Sequence, residues 1–343
     1  MSACKFILST SYKQFFAYTI ELTSQIPPSL PVKTITIPYN YVTTCSPNSI
    51  IFTQMKYFMK KSIVILGIIL AFTTFSCKKE SVENTQPPVK IVKKTPVRKA
   101  PKAVTYTLEN TKEWLKINKD SANLEIALAV NRTDKAFFTK MDSVIIPTDM
   151  SGDISFYLPF PVEIPSLADV DKILYFSYPT QTFAAYENGI LTYTGPTNMG
   201  RKKDQTPTGL FFTNWKAEET ISTFDDEWKL LWNFNIENKK GVGFHQYDLP
   251  GYPASHSCLR LLEKDAKYLY EWADQWVLVD DENVRFKGTP VIVFGSYPFG
   301  SKKPWLQLIK DPKALTISAS EMEKVTAPFL NTIIKEQEKK KKS

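Results

Sequence analysis

Cysteine and histidine are scarce in this chain of 343 residues, which contains four cysteines and two histidines. The four are Cys4, Cys45, Cys77 and Cys258. No two of them have the spacing of a metal-binding pair, so the sequence excludes a module built on paired zinc-binding cysteines. Cys258 is alone in the part of the chain expected to fold, yet His245 and His256 both lie close to it in sequence. This clustering indicates a chemical site.

Positive charge is also scarce where the fold is expected. The whole chain carries a net charge of +8, but basic stretches at 1–77, 78–102 and 335–343 carry +5, +6 and +3, which leaves −6 for residues 103–334. An acidic fold is a poor match for a polyanion. The charge distribution therefore argues against a nucleic-acid-binding fold, and no nucleic acid is expected as a partner.

The marked apolar run, residues 62–75, is only 14 residues long and is short for a bilayer-spanning helix. Lysines precede it, and Cys77 followed by two lysines ends it, which is the layout of a signal peptide over residues 55–77. Thr74–Cys77 resembles a relaxed lipobox, so Cys77 is expected to be lipidated and to anchor a periplasm-facing protein to the inner or outer membrane. An ordinary secretory signal or a single membrane anchor remains the alternative.

Two segments flank this signal. Residues 1–54 are rich in Thr, Ser and Pro with little charge, and we interpret them as an upstream extension of the gene model, with translation starting at Met55 or Met59. Residues 78–103 are rich in Lys and Pro and have no aromatic residue before the fold, which is typical of an extended tether. The tether is either a plain spacer or a basic segment that favours an anionic envelope polymer.

Residues 104–150 predict a small α+β module. Apolar residues at helical spacing (Leu124, Ile126, Leu128 and Val130) indicate a short buried helix, and Val144–Pro147 reads as a strand that ends in proline. An Asn after the helix and a closing strand followed by Pro resemble the second half of peptidoglycan-binding LysM repeats. A plain structural subdomain is the alternative.

From about residue 171 onward the pattern is mainly β. Asn188-Gly189 between two β-branched and aromatic runs predicts a hairpin, because both turn positions need a positive φ. Further strand-like runs follow, and residues 263–276 predict one helix with Ala266, Leu269, Tyr270 and Ala273 on one face. We expect a mainly antiparallel β domain with one or two packed helices. Residues 298–343 are expected to be a helical segment whose tail frays into a solvated lysine run.

Both histidines and Cys258 lie in one short stretch, FHQYDLPGYPASHSCLR. Cysteine attacks as a thiolate, and its pKa near 8.5 falls beside an imidazolium, a positive charge or a helix N-terminus. His245, His256 and a helix that begins about five residues after Cys258 are candidates for this effect. A Cys/His pair of this kind would carry out acyl transfer through a thioester.

Four ordered blocks of sequence carry a resemblance to a known family. They are the Asn-Gly hairpin, Thr206-Pro207-Thr208-Gly209-Leu210-Phe211, the run from His245 through Ser255-His256-Ser257-Cys258-Leu259-Arg260, and Gly288-Thr289-Pro290-Val291. Over residues 171–297 the chain resembles the catalytic domain of the YkuD-like L,D-transpeptidases. The resemblance implies a β-sandwich with one or two packed helices and a cell-wall enzyme that acts on peptidoglycan stem peptides without a cofactor or metal.

The resemblance also implies roles for individual residues. Cys258 would be the nucleophile and His245 the proton acceptor and donor, oriented by the backbone carbonyl of Gln246. The amides of Ser257 and Cys258 would stabilise the oxyanion, and His256 would support the thiolate. Arg260 and Ser255 would contact substrate, with a structural salt bridge as the alternative for Arg260.

The sequence leaves several alternatives open. Ser257 replaces the glycine usual in the family, and its Cβ restricts φ or crowds the scissile carbonyl. The loop between His245 and Ser255 is also shorter than in many members. A zinc site of His245, His256, Cys258 and Asp248 is a competing hypothesis. For the activity, the competitors are an L,D-carboxypeptidase with the same thioester and a peptidoglycan-binding lipoprotein without activity.

Overall fold

Two β-sheets lie face to face at the centre of the structure, a computed structural model that describes residues 97–222 and 229–342. Residues 1–54, the predicted signal at 55–77 with Cys77, and nearly all of the predicted tether lie outside these described ranges. Among the helices that the structure describes, none is both long enough and apolar enough to cross a membrane.

The N-terminal module pairs two strands around three helices. Its elements are β1 (Tyr106–Asn110), α1 (Thr111–Ile117), α2 (Ser121–Asn131), α3 (Lys135–Phe138) and β2 (Ser143–Pro147), and β1 pairs antiparallel with β2. Asp120 caps the start of α2 by accepting a hydrogen bond from the backbone N–H of Ala122 at 2.8 Å. The predicted helix and closing strand are therefore both present.

Asn131, at the end of α2, connects the helix to the strand. Its side-chain amide donates to the carbonyls of Ala127 and Ile145, both at 2.8 Å, and its side-chain oxygen accepts from the N–H of Ile145 at 2.9 Å. The side chain is buried, so these bonds satisfy polar atoms that water cannot reach. This is the physical reason for an asparagine at this position of the sequence pattern.

The remaining strands and α-helices follow the N-terminal module in the described chain. They are β3 (Ile173–Ser177), β4 (Thr182–Glu187), β5 (Ile190–Pro196), β6 (Gly209–Phe212), β7 (Lys216–Ile221), β8 (Lys229–Glu237), β9 (Val242–Gln246), β10 (Leu259–Leu261), α4 (Glu263–Trp272), β11 (Val277–Leu278), β12 (Val284–Phe286), β13 (Pro290–Phe294), α5 (Ala319–Thr326) and α6 (Leu330–Lys341). The prediction of a mainly β fold with a few helices is confirmed.

One sheet has the strand order β5-β4-β3-β13-β6 and the other β10-β9-β8-β7, while β11 and β12 form a separate small hairpin. Most neighbours are antiparallel, but β13 with β3 and β10 with β9 are parallel pairs. Apolar side chains from both sheets and from α4 fill the space between them, with Phe176, Phe183, Phe234, Phe244, Leu259 and Leu269 all fully buried. Burial of this apolar surface is the main stabilising term of the sandwich.

The predicted hairpin joins β4 to β5. Asn188 and Gly189 have φ values of 50° and 78°, as the two-residue turn requires. Gly189 has a second reason to be glycine, because a Cβ there would lie 2.4 Å from the carbonyl oxygen of Ile164.

The C-terminal segment differs from its prediction in two ways. It contains two α-helices, α5 and α6, because Pro328 has no backbone N–H to continue the hydrogen bonds of α5, which ends at Thr326. The lysine tail is also held rather than merely solvated, since Lys340 pairs with Asp274 at 2.6 Å and Lys341 with Asp171 at 3.0 Å.

Candidate active site

Neighbouring parallel strands bring His245 and Cys258 to one face of the smaller sheet. In the register of β9 and β10, His245 lies opposite Arg260, so their side chains point to the same side. Cys258 comes two residues before Arg260 and therefore shares that side. Phe244 and Leu259 point the other way into the core, where both are fully buried. The alternation separates the reactive face from the packed face.

A tight turn places Cys258 at the start of β10. Ser257 has a φ of 82°, in the left-handed region that favours glycine. The Ser257 carbonyl accepts a hydrogen bond from the Thr206 hydroxyl at 2.8 Å, and the Cys258 carbonyl accepts one from the Ser255 hydroxyl at 2.6 Å. Ser255 is buried, so its hydroxyl shapes this turn, whereas the sequence suggested a contact with substrate.

His245 is buried and oriented by its own backbone neighbour. Its Nδ1 lies 2.8 Å from the carbonyl oxygen of Gln246. A carbonyl only accepts, so Nδ1 carries the proton and Nε2 of the neutral ring has a free lone pair. Burial lowers the pKa of His245 to about 4, against a smaller raising effect of the Gln246 carbonyl; the positive charge of Arg260 also lowers it. The ring is therefore neutral at pH 7.

Burial also raises the pKa of the Cys258 thiol above its ordinary value, and the hydrogen bond from the backbone at Gly243 and the charge of Arg260 only partly oppose this. The expectation of a lowered thiol pKa is therefore wrong for this state. His245 is neutral, so it does not lower the thiol pKa as an imidazolium would. The N-terminus of α4 does not lower it either, because the three residues of β10 put about 10 Å of strand between Cys258 and that helix. The site holds a neutral thiol beside a neutral imidazole.

An open cleft with an empty volume of about 310 Å³ lies over these groups. It is lined by Ser222, Leu230, His245, Tyr247, Ser255, His256, Cys258 and Arg260. The guanidinium of Arg260 stacks on the Tyr247 ring at 4.4 Å. Within the described ranges Arg260 takes part in no salt bridge, so its charge is available to a ligand in the cleft.

The His256 side chain contacts a residue that the sequence did not suggest. Its Nε2 contacts the guanidinium of Arg201, which also pairs with Asp204 at 2.5 Å. A guanidinium only donates, so this ring nitrogen accepts. Burial and the charge of Arg201 lower the pKa of His256, which keeps the ring neutral and removes the expected positive charge beside the thiol.

Sequence reasoning missed three groups of the site. Thr206 lies in one of the four sequence blocks, but the motif alone indicates no role for its hydroxyl, which donates to the Ser257 carbonyl. Nothing in the local sequence marks Arg201 or Tyr247. The zinc hypothesis finds no support, since no group of three or more His, Cys, Asp or Glu side chains in the described part of the chain is placed to hold a metal ion.

One family model matches part of the chain. Residues 171–293 match the YkuD family, the L,D-transpeptidase catalytic domain. This family match and the mainly β fold support an L,D-transpeptidase catalytic domain in this segment, which is a little over a third of the chain. No curated protein matches the chain.

Several solved structures are similar to a little over a third of the chain. An L,D-transpeptidase from Stackebrandtia nassauensis is 26% identical with a TM-score of 0.31, covering 37% of this chain and 57% of that one. One from Mycobacterium smegmatis is 20% identical with a TM-score of 0.29, covering 36% and 59%. One from Mycobacterium tuberculosis H37Rv is 20% identical with a TM-score of 0.29, covering 36% and 58%. The chain thus spans a little over half the length of these relatives.

Proposed function

We propose that this chain is a peptidoglycan L,D-transpeptidase that works through a thioester on Cys258. The observation that carries the proposal is the pairing of Cys258 with a neutral, oriented His245 on one face of β9 and β10, inside the segment that matches the family. His245 and Cys258 both line the same cleft, and a neutral base with a free ring nitrogen beside a cysteine nucleophile is the arrangement that acyl transfer needs.

In the acylation step, Sγ of Cys258 attacks the carbonyl carbon of the stem-peptide amide between the third and fourth residues. As the S–C bond forms, the thiol proton passes to Nε2 of His245 and the carbonyl oxygen gains the negative charge. The N–H groups of Ser257 and Cys258 are the proposed donors to this oxyanion. The C–N bond then breaks, His245 returns the proton to the leaving amine, and the D-amino acid departs.

In the deacylation step, an amine of a neighbouring stem attacks the thioester carbonyl. His245 takes a proton from the amine and passes it to Sγ as the C–S bond breaks, which regenerates the neutral Cys258 thiol and the neutral imidazole. A neutral resting pair suits these two steps, because charge develops only as each bond forms and is then stabilised by the oxyanion donors. If water replaces the amine, the same residues perform an L,D-carboxypeptidase reaction.

Arg260 is the proposed contact for a carboxylate of the stem peptide. The stacking of its guanidinium on Tyr247 fixes the plane of the group, and a guanidinium held in one plane is suited to bind a carboxylate through two hydrogen bonds. Gln246 acts through its backbone carbonyl alone. His256, bonded to Arg201, would shape the wall of the cleft.

The remaining parts of the proposal concern location. A lipid on Cys77 would hold the protein at the periplasmic face of a membrane, and the tether would span the distance to the wall. The LysM-like module at 104–150 would add contacts to peptidoglycan. Replacing Cys77 by Ser and following the protein through membrane fractionation tests the anchor: full retention in the membrane fraction would contradict it.

Incubation of the full chain with disaccharide-tetrapeptide, followed by mass spectrometry, tests the activity. A crosslinked dimer supports the transpeptidase, a tripeptide alone supports the carboxypeptidase, and an unchanged substrate supports a binding protein without activity. Cys258→Ala should abolish product and the thioester adduct, while Ser301→Ala, at an exposed serine outside the cleft, serves as the control. Full activity of Cys258→Ala would disprove the proposed nucleophile.

A further inference from the structure

The N-terminal module contacts the loop that connects His245, the proposed base, to Cys258, the proposed nucleophile. This loop, residues 247–254, is called the connecting loop here. Thr133 and Asp134 follow α2 and bind Leu249 of the loop through both of its backbone groups. The Leu249 carbonyl accepts from the Thr133 hydroxyl at 2.8 Å and from the Asp134 N–H at 3.1 Å, and the Leu249 N–H donates to Oδ2 of Asp134 at 2.8 Å.

The bond from the Thr133 hydroxyl is buried, and the bond from the Leu249 N–H to Asp134 is partly buried. Thr133 and Leu249 are fully buried, and a hydrogen bond that is shielded from water holds its geometry more strongly than an exposed one. Asp134 also caps α3, since its Oδ1 accepts a hydrogen bond from the backbone N–H of Phe137 at 2.9 Å. One carboxylate therefore fixes a helix of the module and a loop of the catalytic domain at the same time.

The residues next to Thr133 strengthen the same contact. Arg132 is fully buried and donates from Nε to the carbonyl of Thr180, in the connection between β3 and β4, at 2.7 Å. Gly251 of the connecting loop comes so close to the module that an added Cβ would lie 2.8 Å from the Met141 side chain and 3.3 Å from the Asn131 carbonyl. The N-terminal module and the connecting loop are thus in close contact along a short segment.

Asn198 holds the other side of the connecting loop. Its side-chain oxygen accepts from the N–H of Ala254 at 3.1 Å, and its side-chain amide donates to the carbonyl of Tyr252. Its backbone also exchanges hydrogen bonds with Arg260 at 2.8 and 3.0 Å. The loop is therefore fixed at both ends, and Leu249 lies only three residues after the Gln246 carbonyl that orients His245.

We propose that Thr133 and Asp134 are positioning residues of the active site, which hold the connecting loop so that His245 and Cys258 keep their reactive geometry. The N-terminal module then serves as a fixed wall of the catalytic unit in addition to any contact with the cell wall. The kinetic part of this inference rests on the proposed function; the placement of the loop does not.

Two pairs of variants of the full chain test the proposal. Asp134→Asn keeps one side-chain oxygen for the α3 cap but turns an amide toward the Leu249 N–H, so that bond is lost. Thr133→Val removes the hydroxyl at nearly constant volume, and Thr133→Ser restores it. We expect Asp134→Asn and Thr133→Val to lower kcat about tenfold with KM within about twofold, because small displacements of reacting groups are costly. Thr133→Ser should recover most of the loss.

Asp120→Asn is the matched control, since Asp120 is an exposed N-cap of the same module with its contacts inside that module. A second readout is the rate at which iodoacetamide alkylates Cys258, followed by mass spectrometry of its peptide. This rate should fall in parallel with kcat. Thermal melts of each variant identify loss of folding, and Thr133→Val carries the test if Asp134→Asn does not fold.

The two proposals fail in different ways. If the parent chain makes no product from tetrapeptide but the variants still slow alkylation of Cys258, the proposed function fails and the positioning role stands. If Asp134→Asn and Thr133→Val melt at lower temperature yet keep the parent kcat, KM and alkylation rate, the contact is only structural and the positioning role is overturned.

Discussion

The hydroxyl of Thr206 donates to the carbonyl oxygen of Ser257 at 2.8 Å, and the same hydroxyl accepts from the N–H of Gly200 at 2.9 Å. The peptide between Ser257 and Cys258 is trans, so the N–H of Cys258 points away from the carbonyl that Thr206 holds. Thr206 therefore fixes the direction of the amide proposed as an oxyanion donor, although it does not itself enter the reaction.

Thr206→Val should lower kcat roughly 10- to 100-fold, because a peptide that is free to rotate no longer presents its N–H to the developing charge. Thr206→Ser keeps the hydroxyl and should retain most of the activity. Thr208→Val is the control, since Thr208 lies two residues away in the same block and is exposed. Product formation from tetrapeptide measures the effect. Equal kcat for the parent and Thr206→Val would contradict this role.

Ser257→Gly should stabilise the protein. The serine has a φ of 82°, a conformation that costs a residue with a Cβ about 1 to 2 kcal/mol. Part of that gain is offset by the greater freedom of glycine in the unfolded chain. We expect a melting temperature about 2 to 4 °C higher, with activity equal to the parent or above it. Ser301→Gly, at an exposed serine outside the left-handed region, should give no such gain. A lower melting temperature for Ser257→Gly would show that the turn is not strained.

The pH dependence of kcat/KM should show an unusually acidic limb. His245 acts as a base only when it is unprotonated, and its pKa is lowered to about 4 by burial. Activity should therefore fall as pH drops through about 4 to 5, well below the ordinary histidine value of about 6.5. Initial rates at low substrate measure this limb, with circular dichroism to verify folding at each pH. A midpoint at about 6 to 7 would show that the working pair is an imidazolium and a thiolate.

Local patterns in the sequence were enough to predict the elements that hold the site. Alternation along β9 and β10 and the Asn-Gly turn depend on neighbours close in the chain, so they can be read without a fold. The protonation states could not be read in this way, because the groups that bury His245 come from other parts of the chain. Leu249 and Thr133 are likewise 116 residues apart, and no local rule pairs them.

The C-terminal segment also depends on contacts between distant residues, which local sequence patterns do not predict. The sequence contains Pro328, which accounts for the break between α5 and α6 once the packing is known. The pairing of Lys341 with Asp171 joins residues 170 positions apart, so a lysine run that looks solvated in sequence is partly held. Met322 and Ile333 pack against the sheet beside Tyr175, which explains why the tail stays on the catalytic domain.

Asp265 should make the stability of the fold depend on pH. This carboxyl lies in the first turn of α4 and is 1% exposed, and the Tyr193 hydroxyl donates to its Oδ1 at 2.8 Å. Burial raises the pKa of Asp265 to about 7, against the opposing effects of Lys264 and the Tyr193 hydrogen bond; the nearby Glu125 raises it further. The folded protein therefore binds this proton more tightly than the unfolded chain does.

A raised folded-state pKa means that the contribution of Asp265 to stability is fully present below about pH 4 and is lost as pH rises to about 7. Asp265→Asn removes the charge, so this part of the pH dependence should disappear. At pH 8 the variant should gain on the order of 2 to 4 kcal/mol over the parent, with little difference at pH 4. Denaturant unfolding at both pH values measures this, with the exposed Asp120→Asn as the control. If Asp265→Asn instead destabilises the protein equally at both pH values, the carboxyl is held as a charged hydrogen-bond acceptor and its burial does not set the pH profile.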